Sequence, residues 1–497
     1  MRYRPTLAEF KEKAKRGNLI PVYTEILADL DTPVSAFLKI REGNFCYLLE
    51  SVEGGEKIAQ YSFLGANPSL IFRTKSGRGG VTRGDTVEDE FDCNDPLVAL
   101  KNLMARYRLV PEPELPRFHG GAVGYVAYDA VKFFEELPDL KGDDLGLPDS
   151  YFMVTDTILI FDHINHTIKV VSNAHVEDDV EAAYETAIQK IDSTIESLGR
   201  PLAVPAGNAS DASNVYTASL VSNQTEQEYT EAVRKAKEYI RAGDIFQVVL
   251  SQRFQTEIQV APFDVYRALR SVNPSPYMFY LELGNLHLVG SSPELMVRVE
   301  DRTVQVRPIA GTRRRGKDSE EDKALEQELL SDEKELAEHI MLVDLGRNDV
   351  GRVSESGTVQ VTELEVIERY SHVMHIVSNV RGTLRPEEDC YSALRAVFPM
   401  GTVSGAPKIR AMEIIEELEP VKRGPYGGTL GYVSFSGNLD SCILIRTLII
   451  LDDTAYLQAG AGIVADSDPR REFEETINKA KALVRAIEIA ERGLVIV

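Results

Sequence analysis

The chain has 497 residues, of which 43% are hydrophobic and 27% charged, and its formal net charge is −23. Such acidity excludes a general affinity for nucleic acid or anionic membranes. No apolar run is long enough to span a bilayer, and the N-terminal MRYRPTLAEFKEKAKRG has no signal-peptide hydrophobic region.

Four dispersed cysteines, Cys46, Cys93, Cys390 and Cys442, form no metal-binding or redox pair, so a reducing, cytoplasmic setting is expected. The length calls for one very large domain or two to three layers of structure. Tryptophan is absent.

From residue 15 to 190, short apolar stretches such as Phe45–Leu49 and Tyr151–Phe161 are separated by Gly, Pro and Asp turns. That grammar predicts a strand-rich N-terminal portion with few helices, one of them from Asp179 to Leu198. The segment GRPLAVPAGNASDASNVYTASLVS, rich in Gly, Pro, Ala, Ser and Asn, has no sustained periodicity. It divides the sequence into an N-terminal region 1–198, a linker or surface loop 199–224, and a C-terminal region 225–497.

Downstream, Thr225 and Glu228 form a capping box for a helix ending near Gly243. Phe246–Phe254 alternates like a strand, with Gln247, Val249 and Ser251 on one face. Strands are predicted at Leu286–Val289, Gly431–Ser436, Ile443–Leu451 and Ala455–Ala461, and a helix from Asp332 to Gly346. The last helix opens with Asp468 as cap and Pro469 at its first position, and carries Phe473, Ile477, Ala480, Val484 and Ile487 on one stripe.

Several clusters could carry chemistry. In Arg307-Pro-Ile-Ala-Gly-Thr-Arg-Arg-Arg-Gly316, four arginines surround one Gly-Thr turn. Arginine suits carboxylates and phosphates, and Gly311 lets backbone amides approach a ligand. The segment reads equally as an anion cradle or as a solvated basic loop balancing nearby acids.

Glu335 and Glu338, and likewise Glu472 and Glu475, sit three apart on predicted helices, so each pair shares a face. Such pairs are common on surfaces. Yet Glu338 lies within the apolar stretch ELAEHIMLVDL, where an unpaired charge is costly, and a divalent cation between the helices would neutralise it. All-oxygen ligation with few protein contacts fits Mg2+.

Gly424–Gly431 and Gln458–Gly462 match neither a dinucleotide fingerprint nor a P-loop; they read as tight turns or as amide donors to a carboxylate. His372 and His375 belong to no metal motif.

Read in order, six blocks resemble the chorismate-utilising enzymes, and within them the anthranilate synthase component I family. They are PIAGTRRRG (308–316), LLSDEKELAEHIMLVDLGRNDVGRV (329–353), SHVMHIVSNVRG (371–382), FPMGTVSGAPKIRAMEIIEELE (398–419), RGPYGGTLGYVSFSGNLDSCILIRT (423–447) and QAGAGIVADSDPRREFEETINKA (458–480). The resemblance implies an α+β fold, a large two-sheet β-sandwich core with helices packed outside.

It further implies that Glu338 and Glu475 hold Mg2+ with Glu335 and Glu472 in support, and that the substrate is chorismate. Tyr426 and Arg446 would grip the enolpyruvyl carboxylate, and amides of Gly460, Ala461 and Gly462 the ring carboxylate. Gly311 and Thr312 would line the substrate. Glu294 matches the family's general acid, while His375 and Thr402 match further active-site positions.

Within the family, relatives that add water carry a lysine where this chain has Gln247, and relatives that make 4-amino-4-deoxychorismate carry one at the position of Ala310. Those two residues imply amination at C2 followed by pyruvate loss, giving anthranilate. An aminodeoxychorismate synthase component I, a synthase that stops at aminodeoxyisochorismate, and a non-catalytic tryptophan-sensing relative are the alternatives.

Ser51, Pro276, Tyr277 and Met278 match the family's L-tryptophan feedback site. No cysteine lies in a Gly-x-Cys-x-Gly turn. Ammonia from glutamine would therefore come from a separate glutamine amidotransferase subunit.

Overall fold

The structure is a computed structural model, and it describes residues 2–51, 60–202, 218–370 and 373–495. His372 and residues 203–217 of the expected linker lie outside the described residues. Among the described residues, two antiparallel sheets of 12 strands each form the centre. The first runs in the order Leu19–Leu27, Thr167–His175, Thr157–Asp162, Tyr61–Ala66, Phe45–Glu50, Tyr277–Leu283, Leu286–Ser292, Thr447–Leu451, Thr454–Ile463, Gln247–Glu257. The second includes Ile309–Arg314, Val373–Thr383, Thr303–Val306, Leu295–Glu300, Leu439–Ile443, Thr429–Ser434, Gly121–Val126 and Ser150–Thr155.

Alternation along each strand explains the layering, because successive side chains point to opposite faces. Tyr47, Phe279, Leu281 and Leu288 of the first sheet meet Val123, Tyr125, Met153 and Leu430 of the second in one buried cluster between the sheets. Their neighbours Leu48, Tyr280 and Val289 point outward, against Phe37, Phe263, Tyr266, Leu483 and Ile487 from covering helices. Helices Pro96–Met104, Glu333–Gly351 and Cys390–Val397 cover the outer face of the second sheet. The architecture is therefore α+β, a two-sheet sandwich with helices outside. Strands from 1–198 and from 225–497 occur in both sheets: Phe45–Glu50 pairs with Tyr277–Leu283, and Gly121–Val126 with Thr429–Ser434.

The capping box of Thr225 and Glu228 forms, and its helix stops at Gly243 in the left-handed region. Three expectations need correction. The helix from Asp332 continues through Gly346 to Gly351, because Gly346 serves close packing: a Cβ there would lie 3.1 Å from Val306. The single strand Ile443–Leu451 is two strands, Leu439–Ile443 and Thr447–Leu451, in different sheets. The chain crosses the sandwich at residues 444–446, and Arg446 takes φ +50° there. The apolar runs on either side of Arg446 hid the break, since both flanks are buried. On the last helix, Asp468 caps as expected, but the buried stripe centres on Ala480, Leu483 and Ile487, with Phe473, Ile477 and Val484 at its margins.

Gly124 shows how tightly the second sheet is drawn. A Cβ at this position would sit 2.0 Å from the Tyr151 carbonyl oxygen and 2.7 Å from the Phe152 Cα, on a strand flanked by partners on both sides. Gly124→Ala is expected to cost about 1–3 kcal/mol, as overpacking of a close core does. Urea unfolding checks this, and an unchanged midpoint would refute the close approach.

Candidate active site

A cavity of about 640 Å³ is lined by residues from both sheets and two helices. The strand Gln247–Glu257 brings Gln247 and Val249, the strand Thr454–Ile463 brings Gly460 and Gly462, and the turn Gly401–Val403 brings Thr402. Glu294, Ala310, Gly311, Thr312, His375, Tyr426 and Arg446 complete the wall, with Glu335, Glu338, Glu472 and Glu475. Of the residues expected at the catalytic site, Ala461 alone is off the wall. Alternation turns its side chain into the apolar cluster with Leu250, Ile414 and Ile463.

Glu294 follows the strand Leu286–Ser292 and is 6% exposed. Desolvation pushes its carboxyl up to about 8, opposed by the Thr402 hydroxyl and the Lys479 charge. Neither Glu294 Oε1 nor Thr402 Oγ1 has a full hydrogen-bond partner. At neutral pH this is a protonated acid held in an apolar wall, the state a general acid requires.

His375 Nδ1 lies 3.0 Å from the Gly311 carbonyl oxygen and 3.0 Å from Thr312 Oγ1. A carbonyl can only accept, so Nδ1 carries the proton and Nε2 is left as an acceptor. Burial lowers the His375 pKa, which favours this neutral form, against the pull of the Gly311 bond. Gly311 itself has φ +64° and forms a bulge in the pairing of Ile309–Arg314 with Val373–Thr383. A Cβ on it would crowd Leu329 at 3.0 Å and Ile376 at 3.2 Å.

Opposite charges are arranged unequally. Among the described residues the Arg446 guanidinium has no hydrogen-bond or ion-pair partner, and desolvation lowers its pKa. Tyr426 is buried, its hydroxyl pushed up to about 12 by desolvation. Gly460 makes room for it, since a Cβ there would meet the Tyr426 hydroxyl at 2.9 Å. An unpaired cation and a neutral phenol donor on one cavity wall have the chemistry to take a carboxylate.

Four carboxylates face the cavity from two helices, Glu335 and Glu338 from Glu333–Gly351, Glu472 and Glu475 from Pro469–Glu491. Glu338 is not deep in the core. Its helix turns His339 inward and leaves Glu338 half-buried at the cavity, where its Oε1 accepts from Gln247 Nε2 at 3.2 Å. Desolvation raises the Glu472 pKa, with the Glu475 charge adding to it and Ser467 opposing. Among the described residues no three His, Cys, Asp or Glu close into a ready-made metal cluster. The donor set is nonetheless all oxygen and open to the cavity, which fits a hard cation that keeps waters and shares an anionic substrate.

The arginine-rich turn resolves as the balancing loop, not as an anion cradle. Arg313 bonds Glu328 at 2.9 Å and Asp332 at 2.8 Å, and Arg315 forks onto Asp322 at 2.9 and 3.0 Å. Arg314 pairs with Glu321 and Arg307 with Glu368. Each guanidinium is engaged by a carboxylate. Lys479 was not expected. It lines the cavity, donates to the Gly460 carbonyl at 2.8 Å and pairs with Glu475 at 2.8 Å. Its position four residues after Glu475 on the same helix was the available signal.

A second cavity of about 230 Å³ lies between the sheets and includes Ser51, Pro276, Tyr277 and Met278. The Tyr277 hydroxyl donates to Asp440 at 2.9 Å, and Arg298 and Arg117 reach the same carboxylate at 2.9 and 3.1 Å. Ser51 Oγ is buried without a partner.

The chain matches a family model described as chorismate binding enzyme over residues 44–485. It is 52% identical to anthranilate synthase component 1 of Acetivibrio thermocellus over 98% of this chain and 99% of that one. Its identity to the protein of the same name from Aquifex aeolicus is 49%, over 98% of each. The crystal structure of anthranilate synthase component I from Streptococcus pneumoniae superimposes with TM-score 0.76 at 39% identity, covering 92% of this chain and 99% of that one. The menaquinone-specific isochorismate synthase from Escherichia coli shares the fold, with TM-score 0.70 at 19% identity over 97% of this chain and 98% of its own. With its cavity built from these same segments, the chain belongs to the chorismate-binding enzyme family.

Proposed function

We propose that this chain is the synthase component of an anthranilate synthase, a lyase that converts chorismate and ammonia to anthranilate and pyruvate. One observation carries the reading: a desolvated, protonated Glu294 shares a cavity with an unpaired Arg446 and four carboxylates. Relatives named anthranilate synthase component 1 align along nearly the whole chain at about half identity.

Chorismate carries two carboxylates on a non-aromatic ring. Arg446 and Tyr426 take the enolpyruvyl carboxylate, a charge-assisted pairing that fixes the side chain. Glu338 and Glu475 would hold Mg2+, with Glu335 and Glu472 in support. When bound, the cation neutralises the ring carboxylate and fixes its orientation.

Ammonia then forms a bond to C2, both ring double bonds shift, the C4 hydroxyl leaves as water with the Glu294 proton, and the new ammonium returns a proton to Glu294. Gln247 is a neutral amide and cannot serve as a base, which suits ammonia's free lone pair and disfavours water. Ala310 lines the cavity without a nucleophile, so no covalent adduct competes at C2. In the second half, His375 Nε2 accepts the C2 proton as the C3–O bond breaks, and enolpyruvate takes up a proton at its methylene carbon to leave as pyruvate. The ring becomes aromatic.

The four cysteines are buried and free, which supports a reducing, cytoplasmic setting and leaves no thiol for glutamine hydrolysis. Ammonia from glutamine is therefore assigned to a separate amidotransferase subunit. The smaller cavity is assigned to L-tryptophan as feedback inhibitor, with Ser51, Pro276, Tyr277 and Met278 in contact. Coupling has a short route. The strand Leu439–Ile443 presents Asp440 and Cys442 to the small cavity, while the Ile443 amide donates to the Glu294 carbonyl at 3.0 Å.

Chorismate, ammonium and Mg2+ should yield anthranilate fluorescence and equimolar pyruvate; amination without pyruvate would sink the product assignment. Glu338→Gln and Glu475→Gln should each lower Mg2+-dependent turnover by at least tenfold, and full activity in both would remove the metal assignment. Because the Glu294 carboxyl titrates near 8, its acid form is complete at pH 6–7 and is lost as pH rises through 8. The kcat profile should therefore show an alkaline limb there, and Glu294→Gln should lose about 10²–10⁴-fold at every pH. A limb that persists in Glu294→Gln would assign it to another group. The chain has no tryptophan, so added L-tryptophan is the sole indole, and its emission should shift on binding. Ser51→Leu should abolish both the shift and the inhibition; inhibition intact in that variant would refute the assignment.

A further inference from the structure

Behind the cavity lies a buried cation that touches no substrate-facing space. Arg423 is 1% exposed, the bulkiest of the fully buried side chains. Four of its N–H groups are engaged: Nε and Nη2 reach Glu419 at 2.9 and 2.6 Å, Nη1 the Val403 carbonyl at 2.6 Å, and Nη2 also the Val249 carbonyl at 2.8 Å. The guanidinium lies 4.5 Å from the centre of the Tyr128 ring and 5.6 Å from that of Tyr426. Glu419 in turn accepts from the Ser251 amide and hydroxyl, both at 2.8 Å. Ser251 Oγ also accepts from Gln458 Nε2 at 2.8 Å, and Gln458 lines the cavity.

These bonds converge on three walls of the catalytic cavity: the strand that carries Gln247 and Val249, the turn Gly401–Val403 that carries Thr402, and the ring of Tyr426. We propose that the Arg423–Glu419 pair is a positioning device that registers Tyr426 and the Thr402 turn against the strand Gln247–Glu257, and thereby sets where substrate lies relative to Glu294. The functional half of this inference rests on the reading of the cavity as a chorismate site.

The chemistry favours arginine for the task. Two carbonyls and a bidentate carboxylate need four donors fixed in one plane, whereas lysine offers a point charge. Nor is stability a sufficient reason for the pair, because buried ion pairs are often replaceable by apolar residues without loss. A placement error of about 1 Å can cost 10²-fold in rate, so a rigid support behind a ligand-gripping ring has a direct catalytic effect.

Two variants test it: Arg423→Lys, which keeps the charge and loses the fork, and the double variant Arg423→Met with Glu419→Gln, which removes both charges of the pair and leaves the nearby Lys141 with Glu416. Folding is followed by circular dichroism and thermal melting. Position is followed without any ligand by ¹⁹F resonances of fluorotyrosine-labelled protein, with Tyr426 assigned through Tyr426→Phe. The expected result is a folded double variant whose Tyr426 resonance shifts or broadens. Its kcat/KM for chorismate should fall about 10²-fold, through both KM and kcat, while KM for ammonium is unchanged.

An unmoved Tyr426 resonance in a folded variant overturns the positioning role, as does native kcat/KM per folded molecule. If wild-type protein makes no anthranilate, the reading of the site fails instead, and the resonance alone decides the positioning role. If neither variant folds, the pair is a stability element and the proposal is overturned.

Discussion

Arg446 and Glu294 set the terms for everything around them. A guanidinium without a counterion and a carboxyl kept protonated are both costly in a desolvated place, by several kcal/mol for a buried ion. The molecule keeps them because one sandwich surrounds them. Arg446 sits where the chain leaves one sheet and enters the other, between Ile443 and Thr447, in a backbone conformation that arginine seldom adopts. Glu294 sits at the matching crossing, between Leu286–Ser292 of the first sheet and Leu295–Glu300 of the second. The Ser292 hydroxyl donates to the Ile443 carbonyl at 2.7 Å and the Ile443 amide to the Glu294 carbonyl at 3.0 Å, which binds the two crossings together. Regular strand pairing would bury neither side chain in a cavity; the paired crossings do.

Charge is handled in opposite ways inside and outside this cavity. The arginines of 307–316 are tied to Glu328, Asp332, Glu321, Asp322 and Glu368, so their field is spent locally. Arg423 is buried but answered by Glu419 and two carbonyls. Arg446 alone among the cations discussed faces the cavity unanswered, while Glu475, Glu338 and Glu335 across it have partners in Lys479, Gln247 and Arg313, and Glu472 in Ser467. A ligand with two anionic groups would answer Arg446 with one of them, and the cation proposed for the carboxylates would neutralise the other. The same surroundings supply the neutral imidazole and the protonated acid without further groups.

Much of this could be read along the sequence, and the failures share a cause. Helix caps at Thr225 and Asp468 were legible because they are local. The acid pairs were legible because helical spacing fixes which residues share a face. What could not be read were features decided by contact between distant segments. Gly346 looks like a helix stop, but its missing Cβ admits Val306 and Pro308. Residues 443–451 look like one strand, because both flanks are apolar and buried and the lone Arg446 at the crossing reads like an ordinary outward-facing strand residue. Ala461 sits between two cavity-lining glycines, yet alternation sends it the other way. Arg423 carries no local sign of its role; its partners lie up to 174 residues away.

The arginine-rich turn shows why local charge is a poor guide and local geometry a better one. Its four cations drew attention as an anion site, and each proved to be paired. Its lasting contribution is the Gly311 bulge, which places the Gly311 carbonyl and the Thr312 hydroxyl on His375 Nδ1. That contact fixes the imidazole proton on Nδ1 and leaves Nε2 as an acceptor. The surrounding arginine pairs hold the helices that bring Glu335 and Glu338 to the cavity against the same strand. The basic residues therefore bear on the cavity through the position of acidic ones, and the turn's contribution to its wall rests on a glycine that a left-handed backbone requires.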